Sequence, residues 1–130
     1  MISFNDIAKL FSHNIDSKVR EEIRLNIIPD VEVLFEFTGT RKNPIIDGYR
    51  PHHLITDNYL TTGIHHYYEM QTVSPNGTVK GTITFITPEA YPHCLWIGKR
   101  INIQEGTRIV GFATVLKIFN PVLLCEKDQI

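Results

Sequence analysis

Histidine is the residue type in this sequence best suited to do chemistry, because its imidazole binds metal ions and transfers protons near neutral pH. Four of the six histidines form the adjacent pairs His52–His53 and His65–His66. In extended strands neighbouring side chains point to opposite faces, so at most one of each pair could meet His93 or Cys94 at a common site. The chain contains no HxH, HExxH or CxxC pattern. We therefore expect packed or surface histidines and no metal.

The two cysteines are the candidate nucleophiles. Cys94 directly follows His93, but sequence neighbours seldom form a catalytic pair, because catalytic partners are brought together by the fold. Cys125 lies in the apolar segment 122–125, where a thiol behaves as a small hydrophobic group. The acidic residues are scattered without a convergent pair. The sequence thus predicts a protein that is not an enzyme and that uses no cofactor.

The charge pattern limits the class of partner. Thirteen basic and fourteen acidic residues give a formal net charge of −1, so the whole molecule is not expected to attract a polyanion. Segment 91–120 differs, because four basic residues against one acidic residue give it a charge of +3. Those residues are Lys99, Arg100, Arg108, Lys117 and Glu105. No segment resembles a secretory signal or a membrane span, and we expect a cytoplasmic protein that binds no membrane.

The first thirty residues have a helical pattern. Their apolar residues recur every three or four positions, which is typical of an amphipathic helix or of two short helices in sequence. These residues are Phe4, Ile7, Ala8, Phe11, Ile15, Val19 and Ile23. We predict a helical extension over residues 1–30, with Pro29 at its end, packed on a β-domain over residues 31–130.

After Asp30 the pattern changes to the two-residue alternation of half-buried strands. Predicted strands cover residues 31–37, 54–56, 64–73 and 79–85, and a hairpin runs from Ile101 to Phe119. The turn of this hairpin is Glu105–Gly106–Thr107, where Gly106 is able to adopt a positive φ. Five or six antiparallel strands predict a closed barrel or a sandwich.

The last strand is apolar on both faces. One face carries Val110, Phe112, Leu116 and Ile118, and the other carries Ile109, Gly111, Ala113, Val115 and Phe119. We expect the first face to fill the barrel. The second, flattened by Gly111 and Ala113, would form a hydrophobic surface that needs a cover. The N-terminal helices are our hypothesis for that cover.

Four motifs in order resemble the C-terminal β-barrel domain of elongation factor Tu and related translation factors. The sequence carries GYRP at 48–51, TG at 62–63, PNGTVKGTITFITP at 75–88 and GKRINIQEGTRIVG at 98–111. The resemblance covers roughly the ninety residues from Val31 to Asn120 and implies a six-stranded antiparallel Greek-key barrel.

In that family the barrel packs against a GTPase domain and helps to hold the T-stem of aminoacyl-tRNA. The resemblance implies that His52, Thr62, Glu105 and Gly106 match the positions of the family's tRNA contacts. Gln104 stands where the family has Arg, which removes a basic group beside this site. The sequence contains no G-x-x-x-x-G-K-[ST] phosphate loop, so we expect no GTP binding.

These observations favour a non-enzymatic binding module that acts through protein–protein contact, either at the translation machinery or as a mimic, antagonist or immunity-type protein. The alternative is direct binding of tRNA or other RNA through Glu105–Gly106, Lys99, Arg100 and Arg108. Phosphate-driven binding would weaken steeply with salt.

Two further residues have competing interpretations. Trp96, the single tryptophan, is either an interface anchor, since tryptophan is enriched in binding hot spots, or part of a loop that caps the end of the barrel. Arg50 in the GYRP motif is either a surface contact or an internal brace, and we favour the brace.

Overall fold

Six β-strands close into an antiparallel barrel. The computed structural model describes residues 28–125. Its strands are β1 (Val31–Phe37), β2 (Ile45–Ile46), β3 (His52–Thr56), β4 (Tyr59–Tyr67), β5 (Thr72–Val73), β6 (Thr78–Phe85), β7 (Arg100–Glu105) and β8 (Arg108–Ile118), with 3₁₀ turns at Pro88–Ala90 and Pro121–Leu123. The predicted mainly β fold is confirmed, and it is a barrel and not a sandwich. The predicted helical extension lies, up to residue 27, outside the described residues.

Around the barrel the strand order is β1–β6–β4–β3–β7–β8, and β8 pairs with β1 to close the ring. The small strands β2 and β5 pair separately as a two-stranded sheet. In the part of the chain from 28 to 125, no helix is long and apolar enough to cross a membrane.

Two of the predicted strands had the wrong boundaries. The strand predicted over 64–73 begins five residues earlier, at Tyr59, and ends at Tyr67. A turn follows in which Glu69 has a φ of 60°, a left-handed conformation that interrupts a β-ladder. The chain resumes extended structure as β5, whose two residues are too few to produce a periodic signal. The strand predicted over 54–56 begins earlier as well, at His52.

The core consists of the inward-facing residues of the six barrel strands. On β1 these are Val31, Val33, Phe35 and Phe37, all buried as the alternation predicts. On β8 our assignment of faces was wrong at Gly111, Ala113 and Val115, which lie inside, and correct at Val110, which is buried. Phe112, the register partner of exposed Glu36, is half-buried on the outer face. Ile118, the register partner of buried Val31, packs against the core.

The reversal on β8 has a packing cause. Ala113 and Gly111 are the register partners of Phe35 and Phe37 on β1. A Cβ atom at Gly111 would lie 2.8 Å from the Phe37 ring and 2.9 Å from the Glu36 carbonyl oxygen. Small residues on β8 therefore leave the interior to the large rings of β1, which is how interiors reach close packing.

Asp30 fixes the point at which the chain enters the barrel. The residue is 6% exposed, and its carboxylate accepts hydrogen bonds from the Phe85 backbone N–H at 2.7 Å and from the Asn120 side chain at 2.8 Å. Its backbone carbonyl accepts from the N–H groups of Phe119 and Asn120. One residue thus joins the start of β1 to the end of β6 and to the segment after β8.

Candidate functional site

The residues carried over from the family resemblance lie side by side on the outer surface of the barrel. His52 on β3 is the register partner of Thr62 on β4 and of Gln104 on β7. Outward and inward residues alternate along a strand, and these three side chains point outward, with His52 exposed and the other two half-buried. The three strands therefore form a continuous row that ends beside the hairpin of Glu105 and Gly106.

An apolar row lies next to this polar one. Leu54 on β3 is the partner of Leu60 on β4 and of Asn102 on β7. Leu60 is 41% exposed, and Ile86, whose backbone N–H donates to the Thr62 carbonyl, is 59% exposed. We call the surface formed by the outward residues of β3, β4 and β7 the β3 face. It combines hydrogen-bonding groups with accessible hydrophobic side chains.

Glu105 lies at the end of the β3 face nearest the β7–β8 hairpin, which we call its upper edge. Neighbouring side chains donate hydrogen bonds to its carboxylate. One carboxylate oxygen accepts from Arg108 at 2.8 Å, and the other accepts from the Tyr49 hydroxyl at 2.5 Å and pairs with Arg41 at 3.1 Å. Burial raises the pKa of Glu105, but the hydrogen bonds from Tyr49 and Arg108 outweigh it and the net pKa is lowered. Gly106 has a φ of 64°, which confirms the predicted turn.

Glu105 thus acts as a brace that ties the hairpin to the loop before β3. The bracing role expected of Arg50 is wrong, because Arg50 is exposed. Tyr49, its neighbour in the same motif, and Arg41 hold the carboxylate. No sequence pattern linked Arg41 to this site, since it lies in an irregular loop far from the hairpin along the chain.

Trp96 lies at the lower edge of the β3 face, beside a cleft of about 440 Å³. The walls of the cleft include Leu54 and Asn102 from the apolar row. Lys99 donates to the carbonyl oxygens of Ile55 at 2.6 Å and Cys94 at 2.9 Å. Its ammonium lies 4.6 Å from the centroid of the Trp96 ring, a cation–π contact, and burial lowers its pKa.

Trp96 does not itself cap the barrel. Leu95 beside it is fully buried, whereas Trp96 is 38% exposed. Leu95 forms a parallel bridge with Leu124, and its carbonyl accepts from the Cys125 N–H at 2.7 Å. The segment around Trp96 therefore closes the barrel end through Leu95 and leaves the indole accessible at the β3 face.

Arg100 is the remaining basic residue on this surface. Its guanidinium carbon lies 3.8 Å from the centroid of the Phe112 ring, so it stacks on an apolar side chain of β8. Lys117 lies 4.0 Å from the carboxylate of Glu32. Three of the four basic residues of segment 91–120 thus already have carbonyl or carboxylate partners, and the fourth is stacked.

The predicted division of the histidine pairs is confirmed. His53 and His65 point into the barrel and are fully buried, whereas His52 and His66 are exposed. The two inner rings contact each other and not His93, which lies within hydrogen-bonding distance of the Leu124 carbonyl. Within residues 28–125, no group of three or more His, Cys, Asp or Glu side chains could hold a metal ion.

Cys94 has a structural contact. Its thiol donates to the Tyr91 carbonyl at 2.9 Å, and burial raises its pKa. A thiolate is the nucleophilic form of cysteine, so this environment disfavours nucleophilic chemistry. Cys125, expected in the apolar tail, is half-buried.

The structure thus brings all the predicted binding residues to one side of the barrel. His52 and Thr62 lie on the β3 face, with Glu105, Gly106 and Arg108 at its upper edge and Arg100 and Trp96 at its lower edge. No known family model matches this sequence.

Proposed function

We propose that this protein is a non-enzymatic binding module that contacts a protein partner through the β3 face. The observation that carries the proposal is the adjacency of the polar row of His52, Thr62 and Gln104 to the apolar row of Leu54 and Leu60. Exposed hydrophobic groups rimmed by hydrogen-bonding groups are typical of protein interfaces.

The state of the basic residues favours a protein over RNA. Counterion release makes Lys and Arg on phosphates the main source of affinity for nucleic acid. Lys99 donates to two backbone carbonyls, and Arg108 is paired with Glu105. Binding phosphates would require these contacts to break, whereas an apolar partner surface could dock without disturbing them.

The proposal keeps the relation to the C-terminal domain of elongation factor Tu. In support, β3, β4 and β6 follow one another around the barrel, and β1 lies beside β6, as in a Greek key. We infer a cytoplasmic partner linked to translation. Alternatively, the protein mimics elongation factor Tu and binds a partner of that factor. An immunity-type or antagonist role is one form of this function.

The test separates protein from RNA binding. We expect purified aminoacyl-tRNA to bind weakly, and we expect Arg100→Glu with Arg108→Glu to leave that binding unchanged. A protein captured from native cytosol should be retained as salt rises. It should bind about tenfold more weakly or worse to the double variant Leu60→Ala, Trp96→Ala, since truncating interface anchors costs this much or more.

Glu36→Ala is the matched control. Glu36 is exposed on β1, three strands away from β3 in either direction around the ring, and its truncation should leave capture unchanged. The proposal fails if tRNA binds tightly with a steep salt dependence that the arginine reversals abolish. It also fails if the double variant captures as much protein as Glu36→Ala does.

A further inference from the structure

Two histidines and a tyrosine form a polar chain inside the otherwise apolar barrel. His53 and His65 are each 0% exposed and Tyr67 is 1% exposed. The two Nε2 atoms of the histidines are 2.7 Å apart, and the Nδ1 atom of His65 is 2.8 Å from the Tyr67 hydroxyl. The Nδ1 atom of His53 lies 3.3 Å from the Thr61 carbonyl oxygen. This chain has no place in the proposed binding function.

The contacts fix which ring nitrogen carries each proton. A carbonyl only accepts, so Nδ1 of His53 must donate to Thr61, and Nε2 of the neutral ring is then an acceptor. His65 must therefore donate from its Nε2, which leaves its Nδ1 to accept from the Tyr67 hydroxyl. In the neutral pair all four ring nitrogens and the Tyr67 hydroxyl hydrogen therefore have partners.

An added proton would rearrange this chain and leave a charge inside the barrel. With a proton on Nε2 of His53, Nε2 of His65 must accept and Nδ1 of His65 must donate to the Tyr67 hydroxyl oxygen, so the buried hydroxyl hydrogen of Tyr67 loses its acceptor. On His65 the added proton would displace the hydroxyl hydrogen of Tyr67. In both cases a charge would be buried against Phe35, whose ring centroid lies 4.3 Å from that of His65, and burying an unpaired charge is costly.

The titratable groups around the pair offer little compensation. Tyr49 packs edge-on against His65 with centroids 5.5 Å apart, and its hydroxyl is committed to Glu105. The rings that pack against the pair from β1 and β6 are those of Phe35, Phe37 and Phe85, which are uncharged. His52 acts electrostatically on His53, and Asp47 and Arg41 act on Tyr67. Glu105 acts on Tyr49.

We propose that the His53–His65 pair is an acid-sensitive latch: it joins β3 to β4 inside the barrel while both rings are neutral, and a proton on either ring opens the barrel. Because β3 and β4 carry the β3 face, opening would also dismantle that face. The latch itself does not depend on the proposed binding function.

The direction of the pH effect follows from the burial of the rings. Burial, opposed by the hydrogen bond to Thr61, lowers the pKa of His53 to about 4. Burial and the neighbouring His53 lower the pKa of His65 well below 6.5. Both groups thus bind protons more tightly in the unfolded chain. Their stabilising effect is complete above pH 6.5 and is lost as the pH falls towards 4.

Urea denaturation of the full chain at several pH values tests the latch. Between pH 6.5 and 5 we expect the ratio of folded to unfolded protein to fall by about a hundredfold or more. This interval lies above the range in which Glu105, with its lowered pKa, loses its contribution. His53→Gln keeps an acceptor for Nε2–H of His65 but removes one titrating ring, so the fall should shrink to roughly tenfold.

His52→Gln is the matched control, since it changes the exposed neighbour on the same strand and removes only the smallest of the effects on His53. The fall should stay at about a hundredfold. A wild-type stability that is flat from pH 6.5 to 5, or equal slopes for the two variants, would overturn the proposal. If His53→Gln does not fold, ring ¹⁵N NMR of the wild type decides. His53 should be the Nδ1–H tautomer and His65 the Nε2–H tautomer, both neutral at pH 5, and titration of either ring near pH 6.5 would refute the latch.

Discussion

Gly81→Ala should abolish folding or reduce stability more than any other single methyl addition in the barrel. Gly81 on β6 pairs with Val33 on β1 and with Tyr67 on β4. A Cβ atom there would lie 2.0 Å from the His66 backbone carbonyl oxygen and 3.0 Å from the Phe35 ring. Since the obstructing atom belongs to the backbone, β4 and β6 must separate. We expect a loss of about 3 kcal/mol or more, a large share of the total stability of a small domain.

The denaturant midpoint measures this effect, and Gly106→Ala is its control. At Gly106 the added Cβ atom would meet nothing within 4 Å, but a positive φ of 64° is strained for alanine. Backbone strain alone should therefore cost about 1 kcal/mol. If Gly81→Ala unfolds at a urea concentration equal to or above that of Gly106→Ala, then β4 and β6 do not pack closely enough at Gly81 to exclude a methyl group.

Asp30→Ala should be the most damaging polar substitution. It removes the acceptor of the buried Phe85 N–H and of the Asn120 amide, and an unsatisfied buried group costs about 1–3 kcal/mol. These hydrogen bonds of Asp30, which we call the Asp30 clamp, also fix the start of β1. We therefore expect a loss of stability at the upper end of that range. Hydrogen exchange should show the Phe85 amide becoming accessible first.

Asp30→Asn is the matched variant for this clamp. Its amide keeps one acceptor oxygen but directs an NH₂ group at one of two donors, Phe85 N–H or the Asn120 amide. Asn120 cannot reverse its amide without losing the bond from Val122 N–H to its oxygen. The loss should therefore be smaller than for alanine but still measurable. Equal stability of Asp30→Asn and the wild type would show that the carboxylate does not carry the clamp.

Alternation of residue types was enough to predict the strands that have one buried face. β1 and β6 were identified in this way, and the hairpin of β7 and β8 was identified from its glycine turn. Alternation failed at β4, because the left-handed Glu69 that ends the strand region has no sequence signature. It also failed on β8, where both faces are apolar and only the partner strand decides which face is inside.

The candidate site also contains positions that could be predicted from the sequence and contacts that could not. Outward positions such as His52 and Thr62 could be predicted because a motif and strand parity place them on the surface. The inward orientation of His53 could also be predicted, since His53 shares its strand parity with buried Ile55. Its 2.7 Å contact depends on the register between β3 and β4, which no local pattern fixes. The same holds for Arg41, which reaches Glu105 from a loop.

Site-specific photo-crosslinking tests the binding role of the β3 face most directly. A photoreactive amino acid replaces either Leu60, on the β3 face, or Glu36, on the opposite side of the barrel, and the protein is irradiated in native cytosol with and without ribonuclease. We expect one protein adduct at position 60 that ribonuclease does not alter and that is absent at position 36. Identical adducts at the two positions, RNA adducts, or no adduct at position 60 would contradict the account.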